Sequence, residues 1–184
     1  MGRDHPDLTQ RRVACGHVTK LAALPRVSVI EMARRLAGAG VAVVALPATD
    51  LFLLGRDAEL LEPRGVAPLA LLAPEGVLTA VASNNISNPF TPYGDANLIR
   101  IANLFANVAH LGSADELNFA FRMISSNPAR LMGRGDELKV GAAADLLAFD
   151  APDISSVVRA VGGAVAGWRA GRKTIERPGV SIHR

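Results

Sequence analysis

Cysteine is scarce in this chain: Cys15 stands alone among 184 residues. No disulfide can close within the chain, which fits a reducing compartment. Aromatic residues are also few, at 4%, although 49% of the sequence is hydrophobic. Ala, Val and Leu must therefore fill the core, and such small side chains suit helices lying close against a parallel sheet. The most apolar stretch, residues 41–54, is broken by Pro47 and Asp50, and is too short and too polar to cross a bilayer. The opening Met1-Gly2-Arg3-Asp4-His5-Pro6-Asp7 has no apolar core and does not read as a secretory signal. Basic residues are scattered rather than interleaved with aromatics. The net charge of +3 and pI of about 9.6 thus describe surplus surface arginine, not a nucleic-acid face. No Gly-x-Gly-x-x-Gly follows the first expected strand, which argues against a dinucleotide fold. A soluble cytoplasmic protein with no membrane or nucleic-acid partner is expected, and the length favours one domain.

What is present is an alternation of strands and helices. Residues 1–12 read as a polar lead-in. Val13 to His17 is a short buried strand, and Ser28 with Glu31 has capping-box spacing for a helix striped by Ile30, Ala33, Leu36 and Ala37. Gly38 and Gly40 end it. Val41 to Leu46 is a continuous apolar run, as in strands buried on both faces. Asp50 to Arg64 reads as a loop with some helical character, followed by a short helix within Gly65 to Leu72, starting from Pro68, and a third strand from Val77 to Ala82. Asn88 to Gly94, with two prolines and a glycine, cannot be regular structure. Asp95 reads as the cap of a helix carrying Leu98, Ile101, Phe105 and Val108 on one face. Further helices are expected over 114–125 and, from Asn127-Pro128, to about Met132. Residues 141–150 and 157–175 read as short strands with glycine turns. Alternating β and α argues for parallel strands joined by right-handed crossovers. His17, Thr49 with Asp50, and Asn84 with Asn85 then share the C-terminal strand edge, where α/β folds build their sites.

Several stretches carry a resemblance. Gly16-His17 is similar to the sixth barrel strand of cytosine deaminases. The run Leu46-Pro47-Ala48-Thr49-Asp50-Leu51-Phe52-Leu53-Leu54-Gly55-Arg56 resembles their seventh strand and its loop. Arg64-Gly65-Val66-Ala67-Pro68 is similar to the motif opening the next helix. Ser83-Asn84-Asn85-Ile86-Ser87-Asn88-Pro89-Phe90-Thr91-Pro92-Tyr93-Gly94 looks like the eighth strand and its active-site loop. Asn127-Pro128-Ala129-Arg130, Gly141-Ala142-Ala143-Ala144-Asp145-Leu146 and Gly167-Trp168-Arg169-Ala170-Gly171-Arg172 resemble the closing helix and tail of many amidohydrolases. Nearly the whole chain beyond residue 12 resembles the C-terminal half of a metal-dependent amidohydrolase of the cytosine-deaminase type. The implied fold is α/β: the last three βα units of a TIM (β/α) barrel over 13–134, with a C-terminal β tail over 135–184. The implied reaction is hydrolysis of a carbon–nitrogen bond in a cyclic amidine of pyrimidine or triazine type, with a divalent metal, zinc or iron, activating water.

The same resemblance implies roles residue by residue. His17 matches the strand-six histidine that orients or polarises the attacking water; a lone histidine at a strand end also serves as a satisfied core residue. Asn84 stands where the family has a metal-binding aspartate, and an amide oxygen is a neutral, weaker ligand. Asn85 falls where the family's next acidic residue meets the substrate. Both asparagines would also serve by bonding the backbone of a tight loop. Phe90 sits at the aromatic wall for a planar ring, or anchors the loop on the rim. Asp50 reads as a rim residue or a cap. Cys15 and His17 share a strand face and have the look of a metal pair, though a buried thiol beside a catalytic histidine fits better. His110 and Glu31 sit in helix patterns with no chemistry expected.

The family's first-strand His-x-His, its fifth-strand histidine and the glutamate beside it have no counterpart in this sequence. A barrel of eight strands needs about 250 residues. An enzyme incomplete without an N-terminal-half chain is therefore expected, the alternative being a non-catalytic α/β remnant with a binding or scaffolding role. The strands at Val13 and Val77 would be open edges. The chain alone is then expected to associate, as a homo-oligomer or with that partner.

Overall fold

The computed structural model describes residues 13–135 and 138–177. The expected lead-in 1–12, and residues 136–137 and 178–184 of the expected tail, lie outside the described residues. Three strands, β1 (Val13–Gly16), β2 (Val41–Ala45) and β3 (Thr79–Val81), form a parallel sheet in the order β1-β2-β3. In register, Val13 lies beside Val41 and Val43 beside Thr79. Helix α1 (Arg26–Gly38) crosses from β1 to β2. Helices α2 (Pro47–Leu53) and α3 (Leu69–Leu72) cross from β2 to β3.

Helices α4 (Leu98–Val108), α5 (Ala114–Arg122) and α6 (Ser126–Leu131) follow. A separate antiparallel sheet then contains β4 (Leu146–Phe149), β5 (Ala164–Arg169) and β6 (Arg172–Glu176), with α7 (Ile154–Ala160) between its first two strands. The core is continuous. Val29 and Ala33 of α1, Val43 of β2, Leu69 and Leu72 of α3, Ile101 and Phe105 of α4, Met123 and Val158 all belong to one buried cluster. As the composition implies, small aliphatic side chains dominate it, and Phe105 is its only fully buried aromatic ring among the described residues.

Several boundaries differ from the sequence reading, each for a local reason. Helix α1 starts at Arg26 behind Pro25, whose ring presets the first turn. Ser28 and Glu31 are then both inside the helix and close no capping box. The buried stripe runs through Val29 and Ala33, and Ile30 is only half-buried. Pro47 does not merely close β2; it sits at the first position of α2, which puts Thr49 and Asp50 on a helix. Asn97, not Asp95, caps α4, its side chain accepting from the N–H groups of Ile99 and Arg100. Leu98 is consequently exposed, and the buried stripe is Ile101, Ala102, Phe105 and Ala106. Residues 154–160 are helix rather than strand. Asp153 caps that helix through the Ser156 N–H at 2.7 Å, and Val161 ends it with φ 54°.

The two outer strands of the parallel sheet are unlike each other. All four residues of β1 are exposed, and among the described residues it pairs with β2 alone. All three residues of β3 are buried. On its outer side, Val81 N–H donates to Met123 O at 2.9 Å and Asn127 Nδ2 donates to Thr79 O at 2.8 Å. The expectation of two open edges thus holds for β1 and fails for β3, which the α5–α6 segment covers. Cys15, expected as a buried thiol, is exposed because it lies on the uncovered strand.

Candidate active site

The chain leaves each parallel strand at the same edge of the sheet, and polar side chains collect there. After β1 the His17 N–H still bonds Val44 O at 3.1 Å, but the backbone then turns into the left-handed region, φ 66° at His17 and 55° at Val18. A β-branched residue there is a true outlier and needs its surroundings to hold it. The turn brings His17 Nδ1 to 2.6 Å from Asp50 Oδ1 on α2. Asp50 is only 5% exposed, while the His17 side chain is 48% exposed.

The neighbouring residue on α2 ties in the third strand. Asn84, with φ 62°, follows β3 and donates through Nδ2 to Thr49 Oγ1 at 3.3 Å. Thr49 Oγ1 also lies 2.5 Å from Thr91 Oγ1, the two buried hydroxyls sharing one hydrogen bond. A hydroxyl carries one donor and two acceptor lone pairs, so Thr49 can serve both partners. Thr91 belongs to a tight turn: its N–H and that of Phe90 both donate to Asn88 Oδ1, at 2.9 and 3.0 Å. Asn88 and Thr91 also exchange backbone bonds at 3.1 Å. Phe90 stands at the tip of this turn, 56% exposed.

The structure thus gathers His17 and Asn84 through adjacent residues of one helix, Asp50 for the first and Thr49 for the second. Asn85 is half-buried and lines a shallow depression together with Ser83, Thr91, Tyr93, Asn97 and Arg100. Arg100 Nε reaches Asp95 Oδ1 at 3.4 Å. The Asn97 N–H, with the Arg100 guanidinium adding to it, holds the Asp95 carboxyl below the usual aspartate range. Further out, the Phe52 and Tyr93 rings meet edge to face at 6.1 Å, and the Arg56 guanidinium lies 5.3 Å above Phe52.

Thr91 is the residue that sequence reasoning missed; Thr49 and Asp50 were expected at this strand edge, but not their bonds to Thr91 and His17. Asp50 is neither a cap nor an exposed rim group: it is buried and bonded to His17. The available signal was a single acid within an otherwise apolar run, Leu46 to Leu54, just past a strand end. Among the described residues no three His, Cys, Asp or Glu side chains converge as a metal site.

Four similarities bear on identity. Residues 4–175 match the Amidohydrolase family. The pterin deaminase of Rhizobium rhizogenes is 35% identical over 143 residues, which is 76% of this chain and 32% of the relative. The crystal structure of 5-methylcytosine deaminase from Klebsiella pneumoniae liganded with 5-fluorocytosine superposes with a TM-score of 0.85 at 25% identity. It covers 94% of this chain and 42% of that one. The atrazine chlorohydrolase of Arthrobacter aurescens, complexed with zinc, superposes at 0.63 with 23% identity over 95% of this chain and 39% of its own, a likeness of fold alone. The chain spans less than half the length of each. Sequence motifs, strand-edge geometry and these matches agree, and the chain belongs to the amidohydrolase family, among its cytosine-deaminase-like members.

Proposed function

We propose that this chain is the C-terminal portion of a metal-dependent amidohydrolase that hydrolyses an exocyclic carbon–nitrogen bond of a planar nitrogen heterocycle. On this reading residues 13–134 supply the last three βα units of an eight-stranded barrel and residues 135–184 the β tail. The open edge of β1 is where the preceding strands, in this or a partner chain, would dock. One observation carries the reading: His17 and Asn84, just past the first and third parallel strands, are held at one strand edge by adjacent residues of α2, His17 by Asp50 at 2.6 Å and Asn84 by Thr49 at 3.3 Å.

In the reaction, water adds to a ring carbon and ammonia leaves. His17 orients that water through the ring nitrogen not bonded to Asp50. Asn85 offers an amide to the hydrogen-bonding edge of the ring. Phe90, free on its exposed side and held at its backbone by Asn88, forms a wall for the ring plane. Asn84 has committed Nδ2 to Thr49, leaving Oδ1 for a metal or a substrate donor.

The chain's described residues do not compose a metal site by themselves, since a catalytic zinc takes about three protein ligands and no such cluster is present among them. A zinc or iron centre would therefore depend on ligands from outside these residues. Pyrimidines, pterins and aminotriazines are the substrate classes to test. The decisive measurement is ammonia release from cytosine, 5-methylcytosine, pterin and an aminotriazine, with metal content by mass spectrometry. It is made on this chain alone and on this chain joined to the N-terminal half of a related amidohydrolase. No turnover is expected alone and turnover is expected when joined. A joined, metal-loaded protein that releases ammonia from none of them would sink the proposal.

A further inference from the structure

We propose that Asp50 is the positioning residue of this site: its buried carboxylate holds the His17 ring with hydrogen on Nδ1, leaving Nε2 bare at the open side. Among the described residues Asp50 is the only buried carboxylate. Its place is hard to explain by stability. A buried charge is costly unless paired and fully hydrogen-bonded. Asp50 has one oxygen on His17 Nδ1, at 2.6 Å, while Oδ2 is buried without a partner among the described residues. Unsatisfied buried groups of this kind concentrate where function holds them.

The chemistry of the contact fixes its direction. An ionised carboxylate only accepts, so the ring nitrogen facing it must carry the hydrogen. The other nitrogen lies on the far side of the ring and is then an acceptor. The half-exposed ring presents it away from the buried carboxylate. If it takes a proton there, the resulting imidazolium is stabilised by the same carboxylate, the logic of any base oriented by a buried acid.

The support continues behind Asp50. Thr49, one residue earlier on α2, is bonded to both Thr91 and Asn84. The helix that bears the carboxylate is thereby tied to the loop after β3. A first contact held by a second layer of bonds is what a site needs to keep its geometry. The assignment of His17 to the attacking water rests on the proposed function; the tautomer itself does not.

The experiment is long-range 1H–15N correlation of the histidine rings in the full chain, above the ordinary histidine titration range. His17→Gln identifies the His17 signals. Wild type should show the Nδ1–H form in excess by about ten-fold, as one hydrogen bond to a charged acceptor gives. Asp50→Leu, which removes the acceptor, should collapse that excess. Asp50→Asn keeps the shape and should reduce it. A wild-type ring exchanging freely between tautomers overturns the proposal, as does an excess unchanged in either variant. If Asp50→Leu does not fold, the wild-type and Asp50→Asn spectra decide. None of these readings uses turnover. Failed ammonia release with a fixed tautomer would therefore sink the function and spare Asp50, and the reverse result would do the opposite.

Discussion

The two margins of the parallel sheet show how unevenly the chain finishes its own work. At β3 the Val81 N–H and the Thr79 carbonyl meet partners from the same chain, and all three strand residues are buried. At β1 the four residues stand exposed, and β2 is the strand's only neighbour among the described residues. Parallel strands are ordinarily covered on both faces and paired on both sides. The β3 side is therefore closed by this chain's own groups, and the β1 side is not closed by any of the described residues. The candidate site lies between, and its bonds run toward the finished side.

Substitutions should expose this contrast. Met123 is 0% exposed and its carbonyl caps β3. Met123→Ala should destabilise the chain by about 2–5 kcal/mol. Val13→Ala, on the exposed margin, should stay within about 0.5 kcal/mol. Urea denaturation measures both, and equal losses would erase the distinction between the margins.

A smaller effect is expected from Asn127→Ala. It leaves the carbonyl of buried Thr79 unpaired and should cost about 1–3 kcal/mol. Amide exchange at β3 should accelerate in that variant while β1 is unchanged. Unaltered exchange at β3 would show that this bond does not close the margin.

The smallest effect concerns pH. The N–H groups of Ser113 and Gly112, aided by the Ser113 hydroxyl, hold the Glu116 carboxyl below its ordinary value of 4.5. Its contribution is therefore present above that value and lost as pH falls through the lower folded one. That carboxylate anchors the start of α5, the helix that delivers Met123 to β3. The gap in melting temperature between wild type and Glu116→Gln should narrow on acidification below 4.5. A gap independent of pH would rule the cap out as the cause.

Much of this organisation was legible in the sequence, for identifiable reasons. The apolar run of β2 and the glycine after α1 read correctly because burial on both faces and a left-handed turn leave local marks. Capping was less legible. Ser28-x-x-Glu31 and Ser113-x-x-Glu116 share one spacing, yet only the second closes a reciprocal box. Pro25 had already started the first helix, so position, not pattern, decided the outcome. His17 and Asn84 were legible from their place at strand ends. So was the place of Asp50, but not its role, because what distinguishes it is a partner 33 residues away. The bond between Thr49 and Thr91, 42 residues apart, was hidden for the same reason. Contacts across the sheet edge depend on which side of a helix faces inward, and a seven-residue helix such as α2 has too short a period to announce it.

The left-handed backbone at Asn84 bears on how such a site can change. Asparagine and aspartate are among the few side-chain-bearing residues at ease in that conformation. An exchange between a neutral amide and an anionic ligand is therefore open at this position with the turn left intact. Most other replacements would have to remake the bend before any chemistry could be judged.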